Sequence, residues 1–144
     1  MSAHPMLLLD TNVISEIRKS TCDPNVQAWV SKQASATLYI SAITVLETQR
    51  GISQAARRGD EQQATVLNRW LEDMLLPTFA DRILPVDHAI ARRAGRLKWM
   101  SDHDVRDPLI AATGLVHDAT VVTRNTKHFA GFGVRLINPW DYKV

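Results

Sequence analysis

Met6-Leu7-Leu8-Leu9-Asp10-Thr11-Asn12-Val13-Ile14 is the stretch whose reading decides the fold. Its opening apolar residues do not alternate with polar ones. They therefore fit a strand covered on both faces, which belongs to a parallel sheet packed between helices. The run stops at Asp10-Thr11-Asn12, polar residues of the type that cap helices, and Val13 to Lys19 can start a short helix. A carboxylate at the exit of such a strand is partly sheltered from water. That makes Asp10 a candidate functional group as well as a helix cap.

Working outward, strands and helices alternate. Asp23-Pro24 reads as an N-cap followed by proline at the first helical position, with Val26, Trp29 and Val30 on one face. Thr37 to Ile40 is a second strand, and Ser41 to Arg58 a helix striped by Ile43, Leu46 and Ile52. After Gly59, Asp60 caps a helix whose apolar face is Val66, Trp70, Leu71, Met74 and Leu75 and which ends before Pro77. Arg82 to Val86 is a third strand, and Asp87 caps a helix running to about Trp99. A polar loop, Ser101 to Arg106, follows. Asp107-Pro108 repeats the cap-then-proline signal ahead of the apolar helix Leu109 to Val116. Ala119 to Thr123 and Val134 to Ile137 are the fourth and fifth strands. The alternation predicts a three-layer α/β/α domain with a central parallel sheet of about five strands.

The 144 residues suit one domain, 1–144, with residues 1–5 a loose leader. A composition 45% hydrophobic and 22% charged excludes an intrinsically disordered chain, and a net charge of +2 is too mild for a histone-like binder. The lone Cys22 excludes an internal disulfide and a cysteine-rich zinc site. No segment reaches the roughly 18 apolar residues of a membrane span. A cytoplasmic location is the expectation.

In an open parallel sheet, ligands bind beyond the carboxyl ends of the strands. Asp10 ends the first strand, Glu47 lies in the helix after the second, Asp107 opens the helix before the fourth, and Asn125 follows the fourth. Convergence of these residues would place hard oxygen donors together, the chemistry that Mg²⁺ and Mn²⁺ prefer. Such a site can activate water and neutralise charge growing on a phosphodiester, with no protein nucleophile. Each residue also has a plainer reading: Asp10 and Asp107 as helix caps, Glu47 as a solvated helix residue, Asn125 as a turn residue.

Taken together, four segments resemble the PIN-domain ribonucleases of the VapC/FitB type, the toxins of type II toxin–antitoxin pairs. They are Leu8 to Glu16, Ser41 to Glu47, Asp107 to Thr113 and Val121 to Phe129, in that order. The resemblance spans Met6 to about Trp140. It implies a Mg²⁺- or Mn²⁺-dependent endoribonuclease that leaves a 5′-phosphate and a 3′-hydroxyl. The family's acidic quartet carries over to Asp10, Glu47 and Asp107. Asn125 stands where many members have aspartate and others asparagine. Asp10, Asp107 and Glu47 are the implied metal ligands, and Thr11, Asn12 and Thr123 are implied to orient them. The resemblance also implies a homodimer, a cognate antitoxin, and operator DNA bound only through the antitoxin complex, with no membrane role.

Arg50, Arg93, Arg96 and Arg124 are candidate RNA contacts, since basic faces beside an acidic cleft would hold the phosphate backbone. Asp102-His103-Asp104 reads as a solvated turn, and His128 as a surface histidine near the cleft. Trp29, Trp70 and Trp99 fit core or dimer packing. Three rivals stand beside the ribonuclease. One is an inert PIN module that works by binding, favoured only by Asn125. Another is an aspartyl phosphatase, which commonly has a second aspartate where this chain has Asn12. The third is a DNA nuclease, because nothing in the sequence reads the 2′-hydroxyl.

Overall fold

The computed structural model describes residues 5–99 and 104–144. The turn expected at Asp102-His103 and most of the expected leader lie outside the described residues. The five strands are β1 (Leu7–Leu9), β2 (Leu38–Ser41), β3 (Ile83–Leu84), β4 (Thr120–Val122) and β5 (Leu136–Ile137). All are parallel, in the order β3-β2-β1-β4-β5. β1 is therefore central, with Leu7 paired to Leu38 on one side and to Thr120 on the other.

The first three helices are α1 (Thr11–Arg18), α2 (Pro24–Ser31) and α3 (Ala42–Arg57). Next comes α4 (Glu61–Trp70), which a π-turn over Leu71–Leu75 joins to α5 (Leu76–Thr78). The remainder are α6 (His88–Arg96), α7 (Arg106–His117) and α8 (Thr126–Phe129). The unbroken apolar run of β1 has the two-sided role its pattern predicts. Leu7 and Leu9 join Val13, Trp29, Ile52, Leu71 and Phe79 in one core. Leu8, fully buried, joins Ile110, Ala111, Phe129 and Phe132 in the other. Helices thus cover both faces of the sheet, as the sequence predicts.

Asp23, Asp60 and Asp87 cap their helices through their side chains, accepting from Asn25 and Val26, from Gln63, and from Ile90 backbone N–H groups. Four expectations change. The helix expected to stop before Pro77 continues past it, because the π-turn carries the chain through: the Leu76 N–H reaches back to the Leu71 carbonyl. Ala64, Leu71 and Leu75 form the buried stripe at helical spacing, which leaves Val66 and Met74 exposed. Leu46 is also exposed, since Thr44 and Ala55 share the buried face of α3 with Ile43 and Ile52. Finally, α6 ends at Arg96 rather than near Trp99. Leu97 turns extended, and the Trp99 indole folds back to donate to the Ala94 carbonyl at 2.8 Å.

Gly114 in α7 lies against the sheet so closely that a Cβ there would stand 2.9 Å from Val134 Cγ2 and 3.1 Å from Val121 Cγ2. Both valines are buried and stiff at χ1. Gly114→Ala is therefore expected to destabilise the fold by about 1–3 kcal/mol despite alanine's higher helix propensity, read as a lower urea midpoint.

Candidate active site

β1 and β4 are adjacent in the sheet, yet the chain leaves β1 towards β2 and returns at β4. This is a topological switch point, and the crevice beyond the strand ends there is open to a ligand. A cleft of about 630 Å³ lies there, lined by Asp10, Glu47, Asp107 and Asn125. The four residues singled out in the sequence are thus brought to one place. Thr11 and Asn12 also line it.

Asp10 is 6% exposed and extends the ladder by one bond, its N–H donating to the Val122 carbonyl at 2.9 Å. Its carboxylate is held by three donors. Thr11 N reaches Oδ1 at 2.8 Å; Thr123 Oγ1 and Asn12 Nδ2 reach Oδ2 at 2.8 and 3.2 Å. Thr123, fully buried, also accepts from Asn12 Nδ2 and from the Asn125 N–H. Asn12 Oδ1 in turn accepts from the Arg124 N–H at 3.2 Å. The loops after β1 and β4 are thereby bound into one unit.

Burial pushes the Asp10 carboxyl up to about 6, against the pull of its hydrogen bonds and with a further push from the Asp107 and Glu47 charges. Asp10 enters none of the ion pairs formed among the described residues. Burial also raises the Asp107 carboxyl, opposed by the nearby His128, whose Nδ1 lies 3.5 Å from Oδ2.

Asp107 is not the cap its sequence suggests. α7 begins two residues earlier, at Arg106, with Val105 at the cap position and no side-chain cap bond. That shift leaves Asp107 in the first turn, lining the cleft, instead of spending its carboxylate on the backbone.

Glu47 projects from α3. Its Oε1 accepts from Thr11 Oγ1 at 2.8 Å, and that hydroxyl also pairs with the buried Thr44 hydroxyl at 3.0 Å. Its Oε2 accepts from Arg106 Nη1 at 3.0 Å. Arg106 also forks onto Asp104, which holds the Asp104 carboxyl down at about 2. Asn125 precedes α8 without a side-chain cap bond and is exposed at the cleft.

Arg50, Arg93, Arg96 and Arg124 do not line the cleft. Arg124 stacks its guanidinium on Trp140, 5.0 Å from the ring centroid. The basic residues that do line it are Arg106, Lys127 and His128. Arg106 and Lys127 escaped the sequence reading, although each lies within two residues of a singled-out position. Trp99 lines the cleft as well. Among the described residues, no three His, Cys, Asp or Glu side chains stand as a ready-made metal cage. Two carboxylates with raised pKa, Asp10 buried and Asp107 half-buried, with no ion pair stronger than a histidine at 3.5 Å, still fit Mg²⁺ or Mn²⁺, which take one or two carboxylates and keep several waters.

Fold and cleft together define an α/β domain whose acidic residues meet at the switch point of a parallel sheet. The PIN domain family matches residues 7–133, and the chain belongs to that family. It is 40% identical over 141 residues to the VapC ribonuclease Y4jK of Sinorhizobium fredii, covering 94% of this chain and 99% of the relative. It is 37% identical over 140 residues to the toxin FitB of Neisseria gonorrhoeae, again covering 94% and 99%. The solved structure of FitAB bound to an IR36 DNA fragment is similar with a TM-score of 0.84 at 35% identity, covering 96% of this chain and 99% of that one.

The raised Asp10 pKa means that the folded state holds a proton more tightly than the unfolded chain. Its stabilising contribution is complete below the ordinary value near 3.8 and is lost as pH rises through about 6. In metal-free buffer, stability is expected to fall between about pH 4 and 6 by on the order of 2–3 kcal/mol from this group. Asp10→Asn flattens that fall, as urea melts across the pH series would record.

Proposed function

We propose that this chain is a Mg²⁺- or Mn²⁺-dependent endoribonuclease and the toxin of a type II toxin–antitoxin pair. The observation that carries the reading is the meeting of Asp10, Asp107 and Glu47 in one cleft, with Asp10 and Asp107 raised in pKa and paired to no arginine or lysine. Membership of the PIN family and the names of the relatives support it.

Asp10 and Asp107 would hold the cation, with Glu47 the third carboxylate of the cleft. When bound, the ion supplies positive charge to the phosphodiester and helps make water a competent nucleophile. The chain's own groups do the remainder. Thr11 N, Thr123 and Asn12 fix the Asp10 carboxylate, leaving it little freedom to lose on binding. Lys127 brings a fixed positive charge to the cleft for the RNA backbone. The water oxygen bonds to phosphorus as the bond to the 3′-oxygen breaks, and a proton passes to the leaving oxygen. The products are a 5′-phosphate and a 3′-hydroxyl.

The reading includes a cognate antitoxin, a homodimer and a cytoplasmic site of action. Operator DNA would be bound only within the antitoxin complex, a reading supported by the DNA-bound FitAB relative. No described helix is long and apolar enough to cross a membrane.

The test is incubation of the purified chain with total RNA in Mg²⁺ or Mn²⁺. Discrete fragments with 5′-phosphate ends are expected, abolished by EDTA. Asp10→Asn and Asp107→Asn should each lower the rate by about a hundredfold or more. Absence of cleavage together with absence of Mn²⁺ binding would replace this reading with an inert PIN module.

A further inference from the structure

Arg106 stands inside an acidic cleft, immediately before one of the carboxylates proposed to hold metal. Its Nη1 donates to Glu47 Oε2 at 3.0 Å. Its Nε donates to both Asp104 oxygens at 2.8 Å, and Nη2 also meets Asp104. The other Glu47 oxygen is occupied by the Thr11 hydroxyl. Both oxygens of Glu47 are thus engaged, one of them by a guanidinium that stays charged at every accessible pH.

The carboxylates of the cleft are therefore divided. Glu47 has one oxygen on the Arg106 guanidinium, whose charge it shares with Asp104. Among the described residues, Asp10 has only neutral donors, and Asp107 only a histidine at 3.5 Å. A divalent cation entering the cleft meets Asp10 and Asp107 with no arginine hydrogen bond to displace among the described residues. To recruit Glu47 it would have to displace a charge-assisted hydrogen bond, among the stronger polar contacts in proteins.

We propose that Arg106 is a positioning residue that withholds Glu47 from metal, so that the chain works with a single divalent cation on Asp10 and Asp107. A second ion would need free carboxylate oxygens, and Glu47 offers none while the Arg106 guanidinium stays in place. The guanidinium is held by Asp104 on one side and Glu47 on the other, and it lines the same cleft as Asp10. The inference rests on the metal-dependent reading above and sharpens it.

The test is Mn²⁺ stoichiometry, by calorimetry and by electron paramagnetic resonance. The samples are the wild-type chain, Arg106→Gln, Arg106→Lys, Glu47→Gln and the Arg106→Gln/Glu47→Gln pair, each checked for folding by circular dichroism. One ion per wild-type chain is expected. Glu47→Gln should leave its affinity within about twofold, because Glu47 is not a ligand. Arg106→Gln should admit a second ion, which the double variant loses again and which Arg106→Lys does not admit. Loss of about tenfold or more in affinity on Glu47→Gln would show Glu47 to be a ligand already and overturn the proposal. So would two ions on the wild type, or no second ion on Arg106→Gln. Glu47→Gln alone decides the matter if Arg106→Gln does not fold. Failure of the metal-dependent reading looks different: no variant, nor the wild type, would bind Mn²⁺ in a manner sensitive to Asp10→Asn.

Discussion

A carboxylate buried at the end of a doubly covered strand is the constraint on which the rest of this structure turns. Asp10 follows a strand buried on both faces and is itself nearly buried at the cleft, so water relieves its charge only weakly. The fold answers with short-range donors: the first N–H of α1, the Thr123 hydroxyl and the Asn12 amide. These fix the group without neutralising it, and its pKa stays high. A site that is held in place and still short of positive charge is prepared for a cation.

The donors also explain how the sheet is tied together where its topology reverses. β1 and β4 pair although nearly the whole chain separates them. Beyond the last ladder bond, Asn12 and Thr123 continue the connection through side chains, and Asn12 accepts the Arg124 N–H. The loop carrying Asn125 is thus registered against the loop carrying Asp10. Loss of the Asn12 amide would loosen the position of Asn125 as well as that of Asp10.

On the other side of the cleft, α3 and α7 bring opposite charges together. α3 presents Glu47 one turn beyond the buried Thr44, whose hydroxyl meets Thr11. α7 presents Arg106 and Asp107 in succession, one meeting Glu47 and the other facing the cleft. Neighbouring residues with opposite charges and different partners produce the division of the acids, a division that no single-residue reading of the sequence contains.

The alternation of elements, the double burial of β1, the side-chain caps of α2, α4 and α6, and the identity of the four cleft residues were legible in the sequence. Each rests on local chemistry: unbroken apolar runs, cap residues, or a motif of fixed spacing. Other features were not legible, because they depend on contacts between distant segments. A π-turn carries the chain past Pro77, and core contacts select Ala64, Leu71 and Leu75 while leaving Met74 exposed. α7 starts two residues earlier than its cap-then-proline signal predicts, converting Asp107 from a cap to a cleft residue. Arg124, basic and beside Asn125, turned to stack on Trp140 from the chain's far end, whereas Arg106 turned inward to Glu47. Sequence by itself determined which chemical groups were available and on which elements they sit. The tertiary structure alone decided which carboxylate received an internal counter-charge, because that choice is made by geometry across the cleft between helices far apart in the chain.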